Sequence, residues 1–352
     1  MPTLKIAAAA LGAVLVLGTT PAQAQIDFKI GSKTGDPLRA LPATVRSITA
    51  FGERPVFSPD GRKIAFIGKS YGDAFEYDLA SGTVRNLTAH NPHSGFVRVH
   101  YLADGNFILL GPREMGRDRE DTRSNRVEMW FMGKAPGSVL VPLGQFTYEG
   151  VALSKVANRI VWSSKTGDLT SGTAQGYTAL MVADLVYDKG APRLANIKEI
   201  VRKPFSDCVM EPQNFRDQDR EVTASCYGGS LQPDGGYVVK SGVWGVRIAD
   251  GKMTQYYMDS GYNEVEGISP DGRWTTVECG PAFGKGLDIC RLDLDRPGRT
   301  LVRMTHFLDY GPHRVSNPDI SPDGRTMAFQ YGRAEDEAGI GRGLLLMDLT
   351  AD

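Results

Sequence analysis

Long hydrophobic runs are nearly absent from this sequence. The one apolar run of any length, Ile6 to Gly18, falls short of the roughly 20 residues needed to cross a bilayer. With Lys5 ahead of it and the small residues Ala22-Gln23-Ala24 behind it, the segment reads as a secretory signal cut after Ala24. No cysteine precedes Cys208, so a lipid-bearing cysteine at that cleavage site is not expected, and no Cys-x-x-Cys pair offers zinc a ligand set. Charge imbalance is missing as well. The 40 basic and 41 acidic residues imply neither nucleic acid nor an anionic membrane as a general partner. Helical periodicity beyond about two turns is absent. Catalytic motifs are scarce: Gly68-Lys69-Ser70-Tyr71-Gly72 has the Gly-x-Ser-x-Gly form, but it joins two expected strands, whereas a nucleophile elbow needs a strand entering a helix.

What is present is turn chemistry. Glycine (41) and proline (20) are abundant alongside 41% apolar residues, the composition of strands and turns rather than of disorder. One phrase recurs: Phe57-Ser58-Pro59-Asp60-Gly61-Arg62, Ile268-Ser269-Pro270-Asp271-Gly272-Arg273 and Ile320-Ser321-Pro322-Asp323-Gly324-Arg325. In each, Ser suits the first turn position, Pro presets φ at the second, Asp bonds locally and Gly supplies the positive φ that returns the chain. Weaker copies follow at Val99 to Leu109, Val151 to Trp162 and Gln213 to Val222. That makes six units of roughly 50 residues, a period at which repeats mean propellers or solenoids.

The first unit shows four short strands: Pro55 to Ser58, Lys63 to Ile67, Ala74 to Leu79 and Thr83 to Thr88. The segment Thr44 to Thr49 mirrors that last strand but stands before the first, so it is expected to pair with Leu344 to Leu349 and close a ring. The fold expected is all-β, a six-bladed β-propeller with an N-terminal strand closing the last blade. Residues 1–24 form the signal, 25–43 a leader and 44–352 a single propeller domain. Insertions at Arg113 to Arg126 and Gly167 to Gly176 occupy equivalent loops and are expected on one face, where partners bind.

The repeated Ser-Pro-Asp-Gly phrase followed by an apolar strand resembles the WD40-like repeat of TolB-like periplasmic β-propellers, over about Thr44 to Asp352. TolB carries an α/β domain ahead of its propeller, and no counterpart is expected between Gln25 and Thr44. The resemblance implies a periplasmic or secreted, non-enzymatic scaffold that binds an envelope protein or peptide, monomeric and without a membrane span. The alternative is a polysaccharide lyase-like propeller enzyme with a metal at the pore mouth. In an oxidising compartment the hairpin registers favour two disulfides, Cys208 with Cys226 and Cys279 with Cys290, over four buried thiols.

Superposing the units by their inner strands puts Glu53, Glu149, Glu211 and Glu264 at one position, with Val97 and Ser316 in the other two blades. One reading is an acidic channel mouth that receives a cationic group, either a Lys/Arg-bearing peptide or a divalent cation, with Arg54, Arg98 and Glu266 setting orientation. The other is a set of solvated strand-start residues. No cofactor is expected. His90, His93, His100, His306 and His313 show no ligand spacing and read as loop residues, against a lyase-like metal site joining His100 with His306 or His313. Glu335-Asp336-Glu337 reads as a solvated loop or a cation-holding one.

Overall fold

The structure, a computed structural model, describes residues 26–148, 150–168, 175–231, 237–282, 284–296, 300–337 and 339–351. The secretory signal expected at residues 1–24 lies outside them. Among the described residues, no helix is long and apolar enough to cross a membrane.

Six four-stranded antiparallel sheets are arranged as a six-bladed β-propeller. Blade 1 comprises Glu53–Phe57, Lys63–Ile67, Ala74–Asp78 and Val84–Asn86, within a residue or two of the sequence expectation. The recurring turn behaves as its chemistry dictates. Ser58 Oγ donates to Asp60 at 2.7 Å and accepts from the Lys63 N–H at 3.0 Å, while Gly61 takes φ 69°. Ser269 and Ser321 repeat the pattern with Asp271 and Asp323. These turns also touch in a row. A Cβ at Gly61 would stand 3.4 Å from Pro322, and one at Gly324 would stand 3.4 Å from Pro270.

The ring closes as expected. Val45–Ser47 pairs antiparallel with Leu344–Asp348, with Val45 opposite Met347, and the last blade is ordered closing strand, third, second, inner. The residues ahead of that strand pack on the ring. Gly31 and Lys33 donate backbone N–H bonds to Leu308 and Asp309, Arg303 lies over the Phe28 ring, and Leu38 and Leu41 rest against the core of blade 6.

Both expected disulfides form, with Cα separations of 5.2 Å for Cys208–Cys226 and 5.9 Å for Cys279–Cys290. Each joins diagonal rather than directly opposed positions, since Cys226 faces Met210 and Cys279 faces Asp288. Thiol titration of the denatured protein is expected to find no free thiol without reductant and four with it; any thiol titrating without reductant would remove a bridge.

Two insertions depart from simple loops. The segment 113–126 contains a short helix, Arg119–Asn125, capped by Asp118, whose carboxylate accepts the Asp121 N–H at 2.8 Å. Of the insertion expected at Gly167 to Gly176, residues 169–174 lie outside the described residues, and its two ends belong to strands: the second strand of blade 3 runs Arg159–Asp168 and the third begins at Gln175, while the second strand of blade 4 runs Glu221–Leu231. These second strands are roughly five residues longer than Lys63–Ile67 and rise about 17 Å further on the face where inner strands begin.

Candidate functional site: the central channel

Inner strands have a free side, and their unpaired N–H groups need acceptors. Side chains of the preceding blade supply them. Gln330 Oε1 takes the Arg54 N–H (2.6 Å), Ser225 Oγ that of Val265 (2.9 Å), Glu278 Oε1 that of Asn317 (2.7 Å) and Asp319 Oδ2 that of Phe57 (2.7 Å).

Four inner strands are also bulged. Register jumps fall between Glu53 and Val56, Pro212 and Asn214, Val265 and Ile268, and Ser316 and Asp319. A bulge adds residues to one strand and re-aims their side chains. Arg54 and Asn317 take left-handed φ values of 57° and 48° there. Consequently Arg54, Gln213, Glu266 and Asn317 line one channel cavity of about 50 Å³, together with Arg98, His100 and Lys155 from the two blades whose described inner strands pair without a jump.

The superposed carboxylates do share a rung. Glu53 faces Ile67, Glu211 faces Ser225, Glu264 faces Glu278, and Ser316 holds the matching place opposite Gln330. Glu149 lies outside the described residues. Glu53, Glu211 and Glu264 are buried, at 1%, 3% and 8% exposure. Each is engaged from within the fold. Ser70 Oγ donates to Glu53 at 2.8 Å; Arg98 Nη2 donates to Glu211 at 2.6 Å, and Tyr227 OH adds a bond at 3.1 Å; Tyr262 OH donates to Glu264. Gly150 is required beside Glu211, because a Cβ there would collide with that side chain.

Glu264 and Glu266 meet Glu278 from the neighbouring strand, and their oxygens lie within 4.8 Å of one another. Burial, reinforced by the Glu278 charge, pushes Glu264 up to about 7. Burial and the charges of Glu278 and Glu264 hold Glu266 well above the usual carboxylate range, and burial raises Glu278. Tyr227 and Tyr262 are driven well up, first by burial and then by Glu211 and Glu264 respectively, so they remain donors. The cluster therefore holds protons near neutrality. Three convergent carboxylates are also the donor set that a hard cation takes.

Sequence reasoning found Glu264 and Glu266 but missed Glu278, Tyr227 and Tyr262. Superposing the second strands as well would have found Glu278, which falls four residues after Trp274 as Gln330 falls four after Thr326. The histidines are dispersed. His90 contacts the Ser138 carbonyl, His93 pairs with Asp73, His306 lies 3.8 Å from Asp309, His313 bonds Tyr331, and only His100 lines the channel cavity. In the acidic loop, Asp336 is held by Arg342 and Glu337 by Arg119, at 2.6 Å and 2.7 Å. That second contact fixes the blade 2 helix against blade 6. Tyr71 OH and Lys165 Nζ tie the same helix to blades 1 and 3, at 3.3 Å and 3.2 Å.

No protein-family model matches the sequence, and no curated protein matches it. Solved structures do match the fold. TolB from Acinetobacter baumannii aligns at 9% identity and TM-score 0.49, covering 87% of this chain and 65% of that one, so the chain spans about two-thirds of that protein. An oligogalacturonate lyase in complex with manganese aligns at 15% identity and TM-score 0.51 over 90% and 81% of the two chains. The α-L-arabinanase of Penicillium chrysogenum complexed with arabinobiose aligns at 10% and 0.53 over 88% and 99%. The chain is a six-bladed β-propeller with TolB structures among its matches. At these identities the likeness is one of architecture.

Proposed function

We propose that the chain is an exported, non-enzymatic propeller that binds an envelope protein or peptide on the face where its inner strands begin. One observation carries this reading: the chain's insertions converge on that face. The helix of blade 2 is tethered to blades 1, 3 and 6, and the second strands of blades 3 and 4 extend on the same face. The opposite face carries short, locally bonded turns. Elaborated loops on a rigid frame are where propellers place recognition. Two disulfides accord with an oxidising compartment.

The test uses the protein from residue 25 as bait in envelope extract, alongside a variant whose residues 114–125 are replaced by a short glycine-containing turn. A protein or peptide retained by the first and lost by the second, at unchanged thermal midpoint, is the expected result. Equal retention by both, or cleavage of a polysaccharide by the purified protein, would overturn the reading.

A further inference from the structure

The channel cavity is electrically lopsided. Its acidic members are already engaged: Glu266 accepts from Asn317 Nδ2 at 3.1 Å, Asp319 accepts the Phe57 N–H, and Glu211 beyond the rim holds Arg98. On the side made by blades 1 to 3 the donors are not consumed in this way. Arg54 gives one bond, from Nη1 to the Val97 carbonyl at 2.6 Å, its buried Nε has no hydrogen-bond partner, and no carboxylate among the described residues pairs with it. His100 lines the same wall with a buried Nε2 that also lacks a partner. Burial and the charges of Arg98, Lys155 and Arg54 hold its pKa well below the usual value, so it stands as a neutral ring. Lys155 is exposed in the turn after the blade 3 inner strand, lines the cavity, and has no ion-pair partner among the described residues. It marks where the cavity reaches the turn face.

A half-buried guanidinium without a counter-charge is unfavourable, and its buried, unpaired Nε adds to the cost. Arg54 also sits at a left-handed φ, a strained conformation held by the Gln330 bond to its N–H, and its side chain points inward because of it. At roughly 10–15 Å³ per water, 50 Å³ accommodates about three to five waters, room for a planar three-atom carboxylate. We propose that this wall of the channel is a carboxylate-binding site, with Arg54 and His100 as the seat and Lys155 as the entry charge, for a ligand whose carboxylate terminus enters from the turn face. The planar fork of Arg54 suits a carboxylate in the way a point charge does not. This goes beyond the binding reading above: the ligand enters from the opposite end of the channel, past Lys155, although Arg54 also lines a small pocket with Arg119 and Arg123 of the blade 2 insertion.

The experiment titrates sodium acetate into the protein in chloride-free buffer at pH 7, following acetate line-broadening by NMR, with phosphate and sulfate as parallel probes. Saturable acetate binding is expected, weakened at least tenfold in Arg54→Gln and several-fold in Lys155→Gln. Lys155 is exposed, so its variant reports on the site even if Arg54→Gln fails to fold. Retention of the envelope partner should be unaffected by Lys155→Gln, which tells failure of this site from failure of the binding reading above. No saturation, acetate binding indifferent to Lys155→Gln, or tighter binding of phosphate or sulfate than of acetate would each overturn the assignment.

Discussion

A protein lacking residues 26–49 is expected to be less stable, by on the order of 5 kcal/mol, than one lacking only residues 26–43. The six residues that distinguish the two variants form the closing strand. Asp348 N donates to Thr44 O at 2.8 Å, Ile48 N to Leu344 O at 2.9 Å and Leu344 N to Thr49 Oγ1 at 3.0 Å. Three such bonds contribute about 1 kcal/mol each in net terms. Val45 is 6% exposed within a cluster that includes Ile289, Phe329, Leu345 and Met347, and burial of such a side chain contributes about 1.5–3 kcal/mol. Without the strand, Leu344–Asp348 also becomes an open sheet edge, prone to pairing between molecules. Denaturant midpoints of the two variants decide the matter, and equal midpoints would mean that the strand decorates the ring rather than closing it.

That strand was legible because its sequence repeats the outer strand of blade 1 without the strands that should precede it. The turns were legible for a local reason: Ser58, Asp60 and Gly61 satisfy one another within six residues, so nothing distant has to be known. The shared rung of Glu53, Glu211 and Glu264 followed from counting back from those turns. The state of these carboxylates did not follow. Their protonation and hydrogen bonding depend on Tyr227, which comes from the second strand of blade 4, on Tyr262 two residues before Glu264, and on the burial of all three carboxylates. Arg54 and Glu266 were flagged only as neighbours, because their entry into the cavity depends on bulges, and a superposition that assumes one residue per rung cannot show a bulge. Glu278 was missed because its role lies across a blade boundary, at the backbone of Asn317. Glycines at 167 and 176 suggested a loop in blade 3, yet Gly167 faces Gly176 across a continuing ladder.

Between pH 4.5 and 7 the carboxylate cluster is expected to withdraw stability as pH rises, by on the order of 3 kcal/mol. In the unfolded chain Glu264 ionises near its ordinary value of 4.5, whereas in the fold it holds its proton to about 7. Across that window the folded state binds more protons than the unfolded state, so each rise in pH favours unfolding. The contribution is complete below 4.5 and gone above 7. A shift of that size, at 1.36 kcal/mol per pH unit, gives the stated magnitude. Glu266 and Glu278 shift in the same direction and titrate with Glu264 as a set rather than singly. Glu278→Gln separates this account from a general pH effect, because its amide oxygen can still accept the Asn317 N–H while the charge facing Glu264 and Glu266 is removed. Across urea midpoints at pH 5, 6, 7 and 8, the parent should lose stability relative to Glu278→Gln as pH rises. His100 and His313, both held below their usual value chiefly by burial, act with the opposite sign as pH rises toward 6.5 and are shared by both proteins, so the difference between the two midpoints reads the cluster. Midpoints of the parent and of Glu278→Gln that run parallel from pH 5 to 8 would show that the three carboxylates are ionised in the fold, and that their burial is balanced by cations rather than protons.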